Sequence, residues 1–223
     1  MRDQIAFLHT SPLHVPTFDA LMAELAPDLR VRHVVDEDLL AQAMVVGTAH
    51  PGLIERIHGR MDEALATGAR VVVCTCSTIG DVAERSPIDG RCVAARIDRA
   101  MADLAVTTGA RVLIVAALES TLAPTRELIM GSARALGRQP QVECLLVPDA
   151  WAHFVAADTA AYIDCVVAAV TAAAAAAPSP GIVVLAQASM APAVPLLDAI
   201  GIHALSSPRL GVQRAIAQFH AAR

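Results

Sequence analysis

The chain has 223 residues, with 17 basic and 22 acidic side chains and a formal net charge of −5. The basic residues are scattered rather than striped, so nucleic acid is not an expected partner and a small molecule is. Hydrophobic residues make up 55% of the chain and aromatic residues only 3%, which implies an aliphatic core and room for one large α/β domain or two small lobes.

Met1-Arg2-Asp3-Gln4 leads directly into a strand expected at residues 5–8, without the features of a signal peptide, and a cytoplasmic protein is expected. Five cysteines, an odd number, fit reduced thiols there rather than a disulfide framework. Further β-branched runs at 31–35, 71–74, 112–115, 142–147, 182–185 and 202–205 read as strands buried on both faces of a parallel sheet. Helical patterns occupy 17–25, 51–66, 92–107, 125–136 and 158–177, so strand and helix alternate throughout. The Ala-rich stretch 166–177 is only mildly apolar and has Asp164 at its edge, so it reads as a buried or half-buried helix and not as a membrane span. Thr67-Gly68-Ala69-Arg70 and Thr108-Gly109-Ala110-Arg111 echo one another before strands, and in both the glycine is expected to end a helix.

The stretch with most chemistry is Val71-Val72-Val73-Cys74-Thr75-Cys76-Ser77-Thr78-Ile79-Gly80-Asp81. A buried strand ends in small polar residues where a helix begins, at the sheet edge where open α/β folds bind ligands. That placement aims Cys76 at a crevice. Ser77 or Thr78 would cap the helix, whose unpaired N–H groups favour a thiolate or a bound carboxylate. Cys74 and Cys76 fit the role of small core residues equally well on these grounds. Cys92 and Cys165 fall in helical stretches and Cys144 in a strand, where core packing is expected.

His9 follows the first strand as a substrate contact or an acid. His33 and Asp36 flank the end of the second, where Asp36 would orient His9 or, more simply, cap the next helix. His50, His58, His153, His203 and His220 show no metal-site spacing, so no metal is expected. Glycines occur singly, with no dinucleotide fingerprint or P-loop, so no nucleotide cofactor is expected either. Trp151, Phe154 and Tyr162 suit core packing, a pocket or a homo-oligomer contact.

Cys76-Ser77-Thr78 after a Val-rich strand resembles the element that carries one of two catalytic thiols in the aspartate/glutamate/hydantoin racemases. The resemblance runs along nearly the whole chain. Residues 5–11 are similar to the first strand and substrate loop of that family, and Val35-Asp36-Glu37-Asp38-Leu39-Leu40 to a block of one branch. Arg96-Ile97-Asp98-Arg99-Ala100-Met101 resembles that branch's lead-in to the second lobe. Val115-Ala116-Ala117-Leu118-Glu119-Ser120-Thr121-Leu122-Ala123-Pro124-Thr125 resembles the Thr-rich loop that holds substrate carboxylate. Leu185-Ala186-Gln187-Ala188-Ser189-Met190-Ala191 aligns with the element of the second thiol, and Ser206-Ser207-Pro208-Arg209-Leu210-Gly211 with the closing segment.

The resemblance implies two similar Rossmann-like lobes related by a pseudo-two-fold axis, with the active site in the cleft between them. The division would be 1–100 completed by 206–223, and 101–205. It implies a cofactor-independent enzyme acting beside the carboxylate of a small acid or amino acid. Its site would comprise Cys76 and the position of Gln187, with His9, Thr10, Ser11, Ser77, Thr78, Ser120, Thr121, Ala188 and Ser189 around the substrate. Gln187 departs from the pattern, because an amide has no proton to exchange near neutral pH and two-thiol racemisation needs one on each face. Single-thiol decarboxylation, cis-trans isomerisation, a ligand-binding protein without activity and a Cys74/Cys76 redox pair are the alternatives.

Overall fold

The computed structural model describes residues 4–88, 90, 92–176 and 181–222. Met1, Arg2 and Asp3 of the expected leading segment, and Ala177 at the end of the expected Ala-rich helix, lie outside the described residues. In chain order the elements are β1 (Gln4–His9), α1 (Val15–Leu25), β2 (Arg30–Val35), α2 (Asp38–Val46), α3 (Pro51–Ala66), β3 (Val71–Cys74), α4 (Gly80–Glu84) and β4 (Val93–Arg96). The second run is α5 (Arg99–Thr108), β5 (Arg111–Ala116), α6 (Glu119–Ala135), β6 (Gln141–Leu146), α7 (Pro148–Val155), α8 (Thr159–Ala176), β7 (Ile182–Leu185), α9 (Ala193–Ala199) and β8 (Ala204–Ser206), after which α10 (Ser207–Ala221) closes the chain. Two compact units result, Met1–Asp98 with Pro208–Arg223, and Arg99–Ser207.

Each unit contains a four-stranded sheet, ordered β2-β1-β3-β4 in the first and β6-β5-β7-β8 in the second. All pairings are parallel, so β1 corresponds to β5 and β3 to β7. The inner strands β3 and β7 are buried at every position, which their β-branched runs foreshadow. The outer strands β2 and β6 are not buried on both faces as expected; exposed residues recur along both. A strand at a sheet edge has one neighbour and incomplete cover, so aliphatic composition does not guarantee burial there. Cys144 is accordingly exposed on β6 and not core packing.

In the first unit, α3 shows why an amphipathic segment folds as it does. Pro51 opens it, and Leu53, Ile57, Met61 and Ala64 recur at helical spacing to pack on the sheet. Gly68 adopts φ 97° just past the end of this helix, a conformation glycine takes without steric penalty. Gly109, its counterpart in the echoed motif, does not; a Cβ there would stand 3.1 Å from Ile182 Cγ2, so close packing is what demands glycine. The echo in sequence thus hides two different physical reasons.

Residues 92–107 do not form the single helix expected. Val93–Arg96 is strand β4, Cys92 precedes it, and the helix starts only at Arg99. Val93 to Arg96 pair with Val71 to Cys74, and satisfying the otherwise open edge of β3 outweighs a local helical pattern. Helix α6 begins at Glu119 and carries Pro124 inside it, so Ser120 and Thr121 lie in its first turn and not in a loop. Tyr162, Ile163, Val166 and Val170 of α8 pack into the second core, together with Trp151 and Phe154. The ring of Phe154 lies 4.9 Å from that of Trp151 and 5.6 Å from that of Tyr162. By length and mean hydropathy (1.6) α8 is the one helix among the described residues that could cross a membrane, but its large side chains serve this core.

Candidate active site

In the first unit Leu8 pairs with Cys74, and the Thr75 N–H continues the ladder by donating to the Leu8 carbonyl at 2.9 Å. The chain then turns through residues 77–79 before α4. Cys76 is half-buried at this carboxyl edge, against the aliphatic core of the unit. Cys74 is wholly buried, and its thiol donates to the Cys76 carbonyl at 3.6 Å. Burial pushes the Cys74 thiol well up, so it remains a neutral donor. The two side chains therefore differ in kind: one is core and the other is accessible.

The expected helix start needs correction. α4 has 5 residues and opens at Gly80, with Ile79 at the cap position and no side-chain cap. Ser77 and Thr78 are instead buried in the preceding turn. The macrodipole acts within about one turn of a helix end, and Cys76 lies outside so short an element. The fixed cation of this loop is Arg96, opposite Cys74 on β4 and only 3% exposed. Its guanidinium donates to Asp98 at 2.6 and 2.9 Å and to the Ser77 carbonyl at 3.2 Å, tying the turn to the sheet. Gly80 makes room for it, since a Cβ there would stand 3.0 Å from Arg96 Nε.

His9 ends β1 and is completely buried. Its Nδ1 lies 2.9 Å from Thr75 Oγ1 and its Nε2 2.7 Å from His33 Nδ1, while His33 Nε2 lies 3.0 Å from Asp19 Oδ1. Burial is the largest cause lowering the His9 pKa to about 3, followed by the charges of His33 and His14. Both ring nitrogens are engaged within the protein, so the ring has no free nitrogen to offer a substrate. Asp36 neither orients His9 nor caps α2. Its carboxylate accepts from Arg56 at 2.8 and 3.0 Å and from Arg60 at 2.8 Å, and the cap position of α2 is Glu37. Thr10 is buried beside His9, and Ser11 Oγ accepts from the Leu13 N–H at 3.3 Å to cap the turn Pro12–His14.

The second unit repeats this backbone with different side chains. The Ala186 N–H donates to the Val115 carbonyl at 2.9 Å, matching Thr75 and Leu8. Gln187 thus stands two residues past β7, as Cys76 stands two past β3. Its Oε1 accepts from the Ala117 N–H at 2.6 Å, which fixes the amide and leaves its NH2 as a donor. Ala188 is buried in the short turn Ala188–Met190, and Ser189 Oγ is 2.8 Å from the Tyr162 hydroxyl. Burial raises the Tyr162 pKa to about 12, so that hydroxyl stays neutral. In α6 the hydroxyls of Ser120 and Thr125 are buried with no partner among the described residues, and Thr121 is buried beside them. No group of three metal-ligating side chains that could hold an ion occurs among the described residues.

The first unit gathers Cys76, Ser77, Thr78, His9 and Thr10 around the ends of β1 and β3. The second gathers Gln187, Ala188 and Ser189 at β7, and Ser120 and Thr121 after β5. Sequence reading missed Thr75, Asp19, Arg96 and Asp98. The polar Thr75 inside Cys74-Thr75-Cys76 and the charged Arg96 in an aliphatic run were the signals for two of them. Nothing in the sequence marks Asp19, because its partner is set by helix packing.

No protein-family model matches the sequence, and no curated protein does. Among solved structures, an aspartate racemase of Picrophilus torridus superposes with a TM-score of 0.71 at 14% identity, over 99% of this chain and 94% of the other. A glutamate racemase of Bacillus anthracis gives a TM-score of 0.70 at 12% identity, over 98% and 82%. An arylmalonate decarboxylase gives 0.59 at 17% identity, over 96% and 91%. At these identities the likeness is one of fold.

Proposed function

We propose, for a chain that has the fold of the aspartate/glutamate racemase superfamily, that Cys76 exchanges a proton at the carbon next to the carboxylate of a small acid, from one face only and without a cofactor. The observation that supports this reading is the equivalence of Cys76 and Gln187, each two residues beyond corresponding strands. A thiol can give and take a proton; a carboxamide cannot near neutral pH. Gln187 therefore serves recognition rather than proton transfer: in the first unit the hydroxyls of Thr10, Ser11, Ser77 and Thr78 are donors suited to a carboxylate or a developing enediolate, and in the second the Gln187 NH2 and the hydroxyls of Ser120 and Thr121 are donors of the same kind. Ser189 supports this edge through its bond to Tyr162.

The same one-sided site suits protonation of the enediolate left when carbon dioxide departs. The arylmalonate decarboxylase among the structural neighbours is the observation that favours that second reading. Incubation with a panel of amino and dicarboxylic acids in deuterium oxide distinguishes the outcomes. Deuterium entry with retention supports one-face exchange, carbon dioxide release supports decarboxylation, and entry with inversion would refute the one-thiol reading. Cys76→Ala is expected to lower either rate by about 10²- to 10⁴-fold. A rate that survives this substitution would remove Cys76 from the chemistry.

A further inference from the structure

The row from Asp19 to Leu8 contains four hydrogen-bonded links: Asp19 to His33, His33 to His9, His9 to Thr75, and Thr75 to the Leu8 carbonyl at 3.2 Å. Its two ends, a carboxylate and a carbonyl, only accept. Each link needs one hydrogen, so four are required, whereas two neutral imidazoles and one hydroxyl provide three. The complete row therefore holds one extra proton. His33 is the ring placed to carry it, because it faces the Asp19 carboxylate and reaches the surface, while His9 is sealed in the core.

Loss of that proton must leave one link without a hydrogen. The Leu8 carbonyl gives up its link at least cost, since it keeps the Thr75 N–H at 2.9 Å. His33 then retains its hydrogen toward Asp19, His9 carries its own toward His33, and the Thr75 hydroxyl turns to His9 Nδ1. We propose that Asp19, His33, His9 and Thr75 are one proton-coupled positioning unit, in which the His33–His9 and His9–Thr75 hydrogen bonds reverse direction together on loss of a single proton and reorient the hydroxyl of Thr75, the residue that precedes Cys76. These are positioning residues, acting on the thiol loop through Thr75.

The surroundings isolate the row. Phe7 stacks against His9 and His33, and Phe18 packs against His9 at a tilt of 52°. His14, at the start of α1, is the other titratable group acting on His9. Asp36, after β2, gives only its backbone N–H to the His9 carbonyl, its carboxylate being held by Arg56 and Arg60 of α3. From the segment just past β3 the group facing His9 is Thr75 itself. The reversal stands on these hydrogen bonds alone, whereas its consequence for proton transfer rests on the reading of Cys76 given above.

Imidazole ¹⁵N NMR of the full chain across the histidine range, about pH 5 to pH 9, tests it directly. The expected result is one shared step: His33 protonated on both nitrogens and His9 on Nδ1 at the acid side, and His9 on Nε2 at the basic side. Independent titrations, or a His9 tautomer that never changes, would overturn the proposal. Asp19→Asn is expected to move the midpoint to lower pH, and an unmoved midpoint counts against it. Thr75→Ser should keep the step and Thr75→Val abolish the tautomer change; should the valine variant not fold, Asp19→Asn and Thr75→Ser decide.

Peptide-resolved alkylation of Cys76 by iodoacetamide, followed over the same range, reads the effect on the loop. A severalfold change in rate at the shared midpoint, displaced in Asp19→Asn, is expected, and a rate blind to that midpoint refutes the positioning role. Should the tautomer step and alkylation change appear while no acid exchanges deuterium, the enzymatic reading fails and this one stands.

Discussion

After β3 the first unit presents Thr75, Cys76, Ser77 and Thr78; after β7 the second presents Ala186, Gln187, Ala188 and Ser189. The backbone hydrogen bonds that launch the two segments are the same, with Thr75 and Ala186 donating to Leu8 and Val115. Behind the first stand His9 and Arg96; at the corresponding registers of the second stand Ala116 and Ser206. One strand-loop scaffold therefore supports an ionisable edge in one unit and a neutral hydrogen-bonding edge in the other. Acid/base chemistry needs groups that change protonation, and recognition needs only fixed donors, so the two edges are suited to different tasks.

The contrast can be broken most severely at the buried ion pair. Arg96→Met leaves Asp98 charged and alone in a site where both side chains are almost inaccessible, and should cost about 3–5 kcal/mol. Ser206→Ala, at the corresponding register of the second unit, should stay within about 0.5 kcal/mol. Urea unfolding of the two variants measures both, and equal losses would show that the first unit does not depend on its charge pair.

Acid should also weaken the first unit selectively. The His9 pKa is about 3 in the folded protein and about 6.5 when unfolded, so the unfolded chain binds more protons between those values. Stability is then fully present above the unfolded value and falls as pH drops toward the folded one. The loss is about 1.4 kcal/mol per pH unit from this ring, or roughly 2–3 kcal/mol on going from pH 6.5 to pH 4.5. His14, whose pKa burial lowers to about 4, adds to the slope in the same window. For Asp36 burial works upward, but the bonds from Arg60 and Arg56 prevail and hold it low, so its share disappears only in stronger acid. Thermal melts between these pH values in the parent and in His14→Gln should differ in slope; identical slopes would discount His14.

The smallest effect concerns the neutral edge. Gln187→Leu strands the Ala117 N–H and should cost about 1–2 kcal/mol, while Gln187→Glu, which can still accept, should recover most of that. Gln187→Cys sharpens the comparison further, since it places a second thiol at the equivalent position. Deuterium entry with inversion in that variant, and with retention in the parent, is the expected pair of results.

Alternating aliphatic runs and helical patterns were enough to read an α/β chain with parallel strands, and the buried β3 and β7 coincide with their Val-rich segments because fully enclosed strands tolerate little else. The small polar residues after β3 made Cys76 visible as a candidate. Three-dimensional packing decided what local pattern could not. Strand β4 forms where a helix was expected, because the free edge of β3 required a partner. The edge position of β6 exposes Cys144. Helix α1 brings Asp19 to His33, 14 residues away, and parallel pairing brings His9 to Thr75, 66 residues away. A sequence states which groups can ionise; which of them share a proton depends on ångström distances that only the folded chain creates.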